Sequence, residues 1–83
     1  MEKKIYPKET LSSIIRFGNH IRHLRIVNQL TQDELAERMD VSTRNLSDLE
    51  NGKINTSYAT IYLLAKALNV SLSELFAFEN EEK

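Results

Sequence analysis

The sequence predicts an all-α domain of five helices, and three observations carry that reading. Apolar residues recur three and four places apart almost throughout the 83 residues, which is helical spacing. No stretch shows the strict alternation of a half-buried strand. Thr31 with Glu34, and Ser71 with Glu74, each form the hydroxyl–carboxylate spacing of a capping box, in which side chain and backbone satisfy each other at a helix start. A chain of this length forms a single domain with a small core. With 41% hydrophobic and 28% charged residues, its composition is that of a folded domain rather than a disordered one. There are no cysteines, which excludes disulfides and thiolate zinc sites and fits a reducing, cytoplasmic setting.

Residues 1–10 read as a lead-in, 11–78 as the helical body and 79–83 (ENEEK) as a solvated acidic tail. The first helix is expected from Leu11 to Asn28, with Thr10 as its cap, Pro7 in the irregular segment before it, and Ile14, Phe17, Ile21 and Leu24 as its apolar stripe. Arg16 interrupts the apolar pair Ile14–Ile15, so no signal peptide is expected, and nothing approaches a membrane span. The second helix opens at Thr31 and turns Leu35, Ala36 and Met39 inward. The third follows Ser42, a good cap, and ends at Asn51–Gly52, where glycine supplies the left-handed turn that closes a helix. The fourth spans Tyr58–Leu68 behind Thr56 or Ser57, with Tyr58, Ile61, Leu64, Ala65 and Leu68 inward and Asn69 as its stop. The fifth opens at Ser71 and carries Leu72, Leu75 and Phe76.

Only Asp40, Val41 and Ser42 separate the second helix from the third. A connection that short makes the two helices cross steeply, with Val41 plugging the corner and Asp40 tolerating the left-handed conformation the corner needs. This is a helix-turn-helix. At about 100° per residue, Leu46 and Leu49 set the buried side of the third helix. Arg44 and Asn51 then point away from the core, with Ser47 and Asp48 beside them and Thr43 at the helix start. An arginine fork can bond guanine O6 and N7 together, and Thr43 and Ser47 can bond several bases or meet a thymine methyl. Each residue also has a plainer reading. Arg44 and Asp48, four apart, could form a surface ion pair; Asn51 could simply end a helix; Lys53 could be any loop lysine.

The formal net charge is −1, but it is unevenly spread: residues 3–53 hold nine Lys/Arg against seven Asp/Glu, and residues 54–83 hold two against four. That asymmetry permits an anionic partner for the first two thirds of the chain. His20 and His23 lie three apart but lack a third ligand, so they read as solvated histidines and no metal or cofactor is expected. No nucleophile–base arrangement or phosphate-cradling glycine loop is present, so the chain does not read as an enzyme.

The segments LTQDELAERMDVSTRNLSDLENGK and LLAKALNVSLSELF, with FGNHIRHLR before them, resemble the lambda-repressor-like (Xre or Cro/repressor) helix-turn-helix family over about residues 17–76. The resemblance implies a sequence-specific, DNA-binding transcriptional regulator, a repressor or self-regulating controller, in the cytoplasm of a bacterium or a phage host. It implies base contacts from Thr43, Arg44 and Asp48, with Ser47 on the same face, and backbone contacts from Gln32, Asn51 and Lys53. It also implies an internal salt bridge between Arg25 and Glu50. The sequence departs from the family at Gln29 and Asp40, where glycine is usual, at Thr56, where proline is common, and at Ile26, Val27 and Leu63, where polar residues are commoner.

The implied partners are double-stranded DNA and a second copy of the chain, with room for a second regulatory protein and none for a membrane. Leu63, Leu72, Phe76 and Phe78 are the candidates for a homodimer interface, or else complete a small core. The rival functions are a protein-interaction module that does not read bases, and the antitoxin of a toxin pair.

Overall fold

In the computed structural model, which describes residues 5–78, the elements are α1 (Lys8–Val27), α2 (Gln32–Met39), α3 (Thr43–Glu50), α4 (Tyr58–Leu68) and α5 (Leu72–Leu75). There is no strand among the described residues. Helix α3 packs on α1 and α2, α2 packs on α4, and α4 on α5. Ile21, Leu35, Leu46, Leu64, Leu68 and Leu75 are wholly buried where these helices meet.

The helix starts obey local hydrogen-bond chemistry. The Thr31 and Ser71 capping boxes both form, and Ser42 and Ser57 accept from the backbone N–H groups of Asn45 and Thr60. For α4, Ser57 rather than Thr56 is therefore the cap. Helix α1 departs from expectation. It begins at Lys8, with Pro7 as N-cap and no side-chain cap, and Thr10 lies inside its first turn, where its N–H donates to the Pro7 carbonyl. Proline at a helix start loses nothing, because the N–H it lacks would have no helical partner there. The lead-in thus stops at residue 7, and it is tied down where Asn55 Nδ2 donates to the Tyr6 hydroxyl at 3.2 Å. The expected tail at 79–83 lies outside the described residues.

The helix ends share one solution. Helices α1 to α4 are each followed by a residue at positive φ: Gln29 (61°), Asp40 (59°), Gly52 (71°) and Asn69 (58°). The next residue in each case (Leu30, Val41, Lys53 and Val70) donates its N–H back across the turn, to Arg25, Ala36, Asp48 and Ala65. With the N–H of each positive-φ residue bonded in turn to Ile26, Glu37, Leu49 and Lys66, this double closure is the Schellman motif, and it occupies two of the free carbonyls at each helix end. Glycine fills one of the four left-handed sites. At Gln29 a side chain with no special tolerance for that conformation is held there.

Both glycines of the described chain lie where α1 meets the end of α3. A Cβ at Gly18 would sit 2.5 Å from the Leu49 carbonyl oxygen and 2.7 Å from that of Glu50. One at Gly52 would meet Ile15 Cγ1 at 2.7 Å. Glycine inside a helix costs about 1 kcal/mol relative to alanine, and at Gly18 that cost admits the backbone of α3.

Two expectations about burial are corrected. Tyr58 is 64% exposed rather than inward, because as the first residue of α4 it projects past the core toward Tyr62, at a ring separation of 6.5 Å. His20 is 7% exposed rather than solvated, and its Nε2 lies 3.0 Å from the Glu74 carbonyl oxygen, to which it donates. Helix α5 is a single turn of four residues, and the chain beyond it folds back on α1. There Phe78, 7% exposed, meets Phe17 edge-on at 5.8 Å and lies beside His20.

Replacing Gln29 by glycine relieves the left-handed strain while adding chain entropy to the unfolded state, and strain is the larger effect. Gln29→Gly is expected to raise unfolding free energy by about 0.5–1 kcal/mol in urea titration. A loss of stability would contradict the strain argument.

Candidate nucleic-acid interface

Helix α3 is held from behind by apolar and ionic contacts. Leu46 and Leu49 are 1% and 2% exposed and point into the core. Glu50, at the helix end, is 1% exposed, so its charge needs compensation inside the protein. Arg25 supplies it with a two-pronged contact, Nε to Oε2 at 2.7 Å and Nη2 to Oε1 at 3.2 Å. A third nitrogen of the same guanidinium, Nη1, donates to the Leu30 carbonyl at 2.8 Å and so fixes the turn before α2. Gln32 Nε2 donates to Glu50 Oε1 at 3.0 Å. One carboxylate therefore gathers α1, the start of α2 and the end of α3.

The opposite face of α3 is open. Arg44 is exposed, and Thr43, Ser47 and Asp48 are partly exposed. Among the described residues no ion pair joins Arg44 to Asp48. Asn51 and Lys53 are exposed just past the helix end. The expected outward residues thus share one surface, and Gln32, partly buried at the first position of α2, flanks it.

Two contacts at this surface were not anticipated. Arg22 Nη2 donates to Asn51 Oδ1 at 3.2 Å, and Arg22 Nε lies 3.8 Å from Glu50. The amide nitrogen of Asn51 is left on the side of Ser47 Oγ, 3.5 Å away. The Thr43 hydroxyl donates to Asp33 Oδ1 at 2.7 Å. The first contact had a sequence signal, because Arg22 lies one helical turn before Arg25. The second had none, because Asp33 and Thr43 sit on different helices whose crossing fixes their distance.

The helix-turn-helix family profile (HTH_3) matches residues 21–75, from the middle of α1 to the end of α5. The chain belongs to the lambda-repressor-like helix-turn-helix family. Members of that family are DNA-binding transcriptional regulators. The chain is 38% identical over 64 residues to the control protein C.MunI of a Mycoplasma species, covering 76% of this chain and 86% of that one. It is 37% identical over 62 residues to an uncharacterized HTH-type transcriptional regulator of the archaeon Archaeoglobus fulgidus, covering 75% and 89%. Among solved structures it resembles the restriction-modification controller protein C.AhdI of Aeromonas hydrophila, with a TM-score of 0.76 and 32% identity over 78% of this chain and 98% of that one. The family match includes Asn55 of the Tyr6–Asn55 contact but not Tyr6, and leaves residues 5–20 and 76–78 of the described chain outside it. Among the described residues no helix is long and apolar enough to cross a membrane, and no cluster of three potential metal ligands occurs.

Removing the Arg25 side chain strands a buried carboxylate, which typically costs about 3–5 kcal/mol. Arg25→Ala is expected to lower the urea midpoint accordingly. A loss below about 1 kcal/mol, the scale of an exposed pair, would show that Glu50 is compensated without Arg25.

Proposed function

We propose that this regulator binds double-stranded DNA sequence-specifically, with α3 lying in the major groove, as a homodimer on a palindromic operator. The observation that carries the reading is the two-sidedness of α3. Its back is fixed by Leu46, Leu49 and the Glu50 network, while Arg44, Ser47 and Asp48 are left facing solvent together. Rigid presentation of this kind is what base readout requires, since each bond to a base edge depends on direction.

The roles follow from chemistry and position. Arg44 reads guanine through two parallel donors. Asp48, which repels phosphate, accepts from a cytosine N4 amine, and Ser47 and Thr43 complete the base-facing set. Gln32, Asn51 and Lys53 border the helix and contact phosphates, which fixes register without reading sequence. Gln32 keeps one amide N–H for this purpose, because its bond to Glu50 uses the other.

A single α3 covers one half-site, and paired half-sites call for a two-fold dimer. Leu63 and Phe76 are 40% and 41% exposed and Leu72 is partly exposed, which supports a partner surface on α4 and α5. Phe78 is withdrawn from it, being packed within this chain. The likeness to proteins named as control and controller proteins supports a regulator that sets transcription by its own abundance. A repressor by occupancy is the simplest form, and the cytoplasm is where it would act.

Two measurements test the surface. Arg44→Ala is expected to bring the affinity for a selected operator to within about tenfold of that for random DNA, from a gap of about 10³ or more, with an unchanged melting curve. An undiminished gap would remove Arg44 from the reading surface. Lys53→Ala is expected to weaken binding to all sequences alike and to reduce the slope of log affinity against log salt by about one. An unchanged slope would mean that Lys53 meets no phosphate.

A further inference from the structure

Asp33 is exposed on the first turn of α2, and nothing above gives it a part in reading DNA. Its Oδ1 lies 2.7 Å from the hydroxyl of Thr43, the first residue of α3. An ionised carboxylate has no proton to give, so the hydroxyl proton of Thr43 must point at Asp33. A free threonine hydroxyl rotates and can present either a proton or a lone pair to a base. This one cannot rotate without breaking a short, charge-assisted bond.

We infer that Asp33 is a positioning residue for specificity, which fixes Thr43 as a methyl-and-acceptor group and thereby excludes guanine from the position Thr43 faces. The inference rests on Thr43 facing base edges, as proposed above. With its proton committed, Thr43 offers the groove a methyl group and oxygen lone pairs. In the major groove guanine presents only acceptors, N7 and O6, which meet those lone pairs unfavourably. Adenine presents a donor at N6, cytosine a donor at N4 and thymine a methyl, and each of these suits Thr43 in this state. The discrimination therefore comes from a residue that touches no base. It is set by the crossing of α2 over α3, which brings Asp33 to Thr43 across ten positions of sequence.

The test is in vitro selection from randomised duplexes with four proteins: the natural chain, Asp33→Ala, Thr43→Val and the double variant. Thr43→Ala first identifies which operator position this side chain reads. The natural chain is expected to disfavour guanine there by at least about fivefold. Thr43→Val keeps the shape and has no proton to donate, so guanine still gains no bond there and should stay disfavoured, though by less than in the natural chain because the lone-pair repulsion is gone. Asp33→Ala frees the hydroxyl and should bring guanine to within about twofold of the preferred base. The double variant, which again lacks a donor, should restore the exclusion. That last arm separates a fixed hydroxyl from direct repulsion by the Asp33 charge, and a merely structural loss would not be reversed by a second substitution. Guanine still excluded in Asp33→Ala, or admitted equally in the double variant, would overturn the inference while leaving the DNA reading intact. A natural chain that enriches no sequence would overturn the DNA reading itself, and this inference with it.

Discussion

The carboxylate of Glu50 lies out of solvent where α1, the start of α2 and the end of α3 converge, and it is held there chiefly by Arg25, which meets it with two nitrogens. A lone buried charge would cost several kcal/mol, so neither partner can move away without penalty. The third Arg25 nitrogen is held by the Leu30 carbonyl, and Gln32 adds a donor from the other side. The result is directional: it sets the rotation of α3 and the entry of α2, which hydrophobic contact alone leaves loose. In an eight-residue helix with two core leucines, that direction decides which side chains face outward.

The close approach at Gly18 serves the same end. The carbonyls of Leu49 and Glu50 occupy the space a Cβ would take, so the backbone of α1 lies against the last turn of α3. Gly52 allows the chain to leave α3 beside Ile15 and lead to Lys53. Arg22 then reaches past the end of α3 to Asn51. The outward surface is thus carried on a helix held by close backbone packing and by the Glu50 network. The left-handed residues Gln29, Asp40 and Asn69, which end the other helices, tolerate some strain because hydrophobic partners and returning hydrogen bonds hold them.

Much of this was legible in the sequence where the physics is local. Capping boxes at Thr31 and Ser71 act over three residues, and the three-residue corner at Asp40–Ser42 constrains two helices by length alone. The face of α3 followed from Leu46 and Leu49. What was not legible depends on long-range packing. Arg25 and Glu50 are 25 positions apart, and family likeness rather than spacing paired them. His20 has an ordinary surface pattern until the chain after α5 folds back on α1, and for Phe78 the sequence left small core and dimer interface both open. Tyr58 fits the apolar period of α4 but stands at its first position, beyond the core it would fill. Gly18 gave a signal that periodicity does not weigh: a glycine inside a helix needs a neighbour that explains it.

The central claim is that the Glu50 network orients the proposed reading surface rather than merely stabilising the fold. The most direct test is the apolar double variant Arg25→Met/Glu50→Leu, in which no charge is stranded and fold stability is typically kept or raised. Its selective affinity for an operator, measured beside its melting temperature, separates orientation from stability. The account predicts a melting temperature at or above that of the natural chain, together with a selective affinity at least about tenfold weaker, as Gln32 and α3 lose their common anchor. A double variant that melts normally and binds its operator with undiminished selectivity would contradict it.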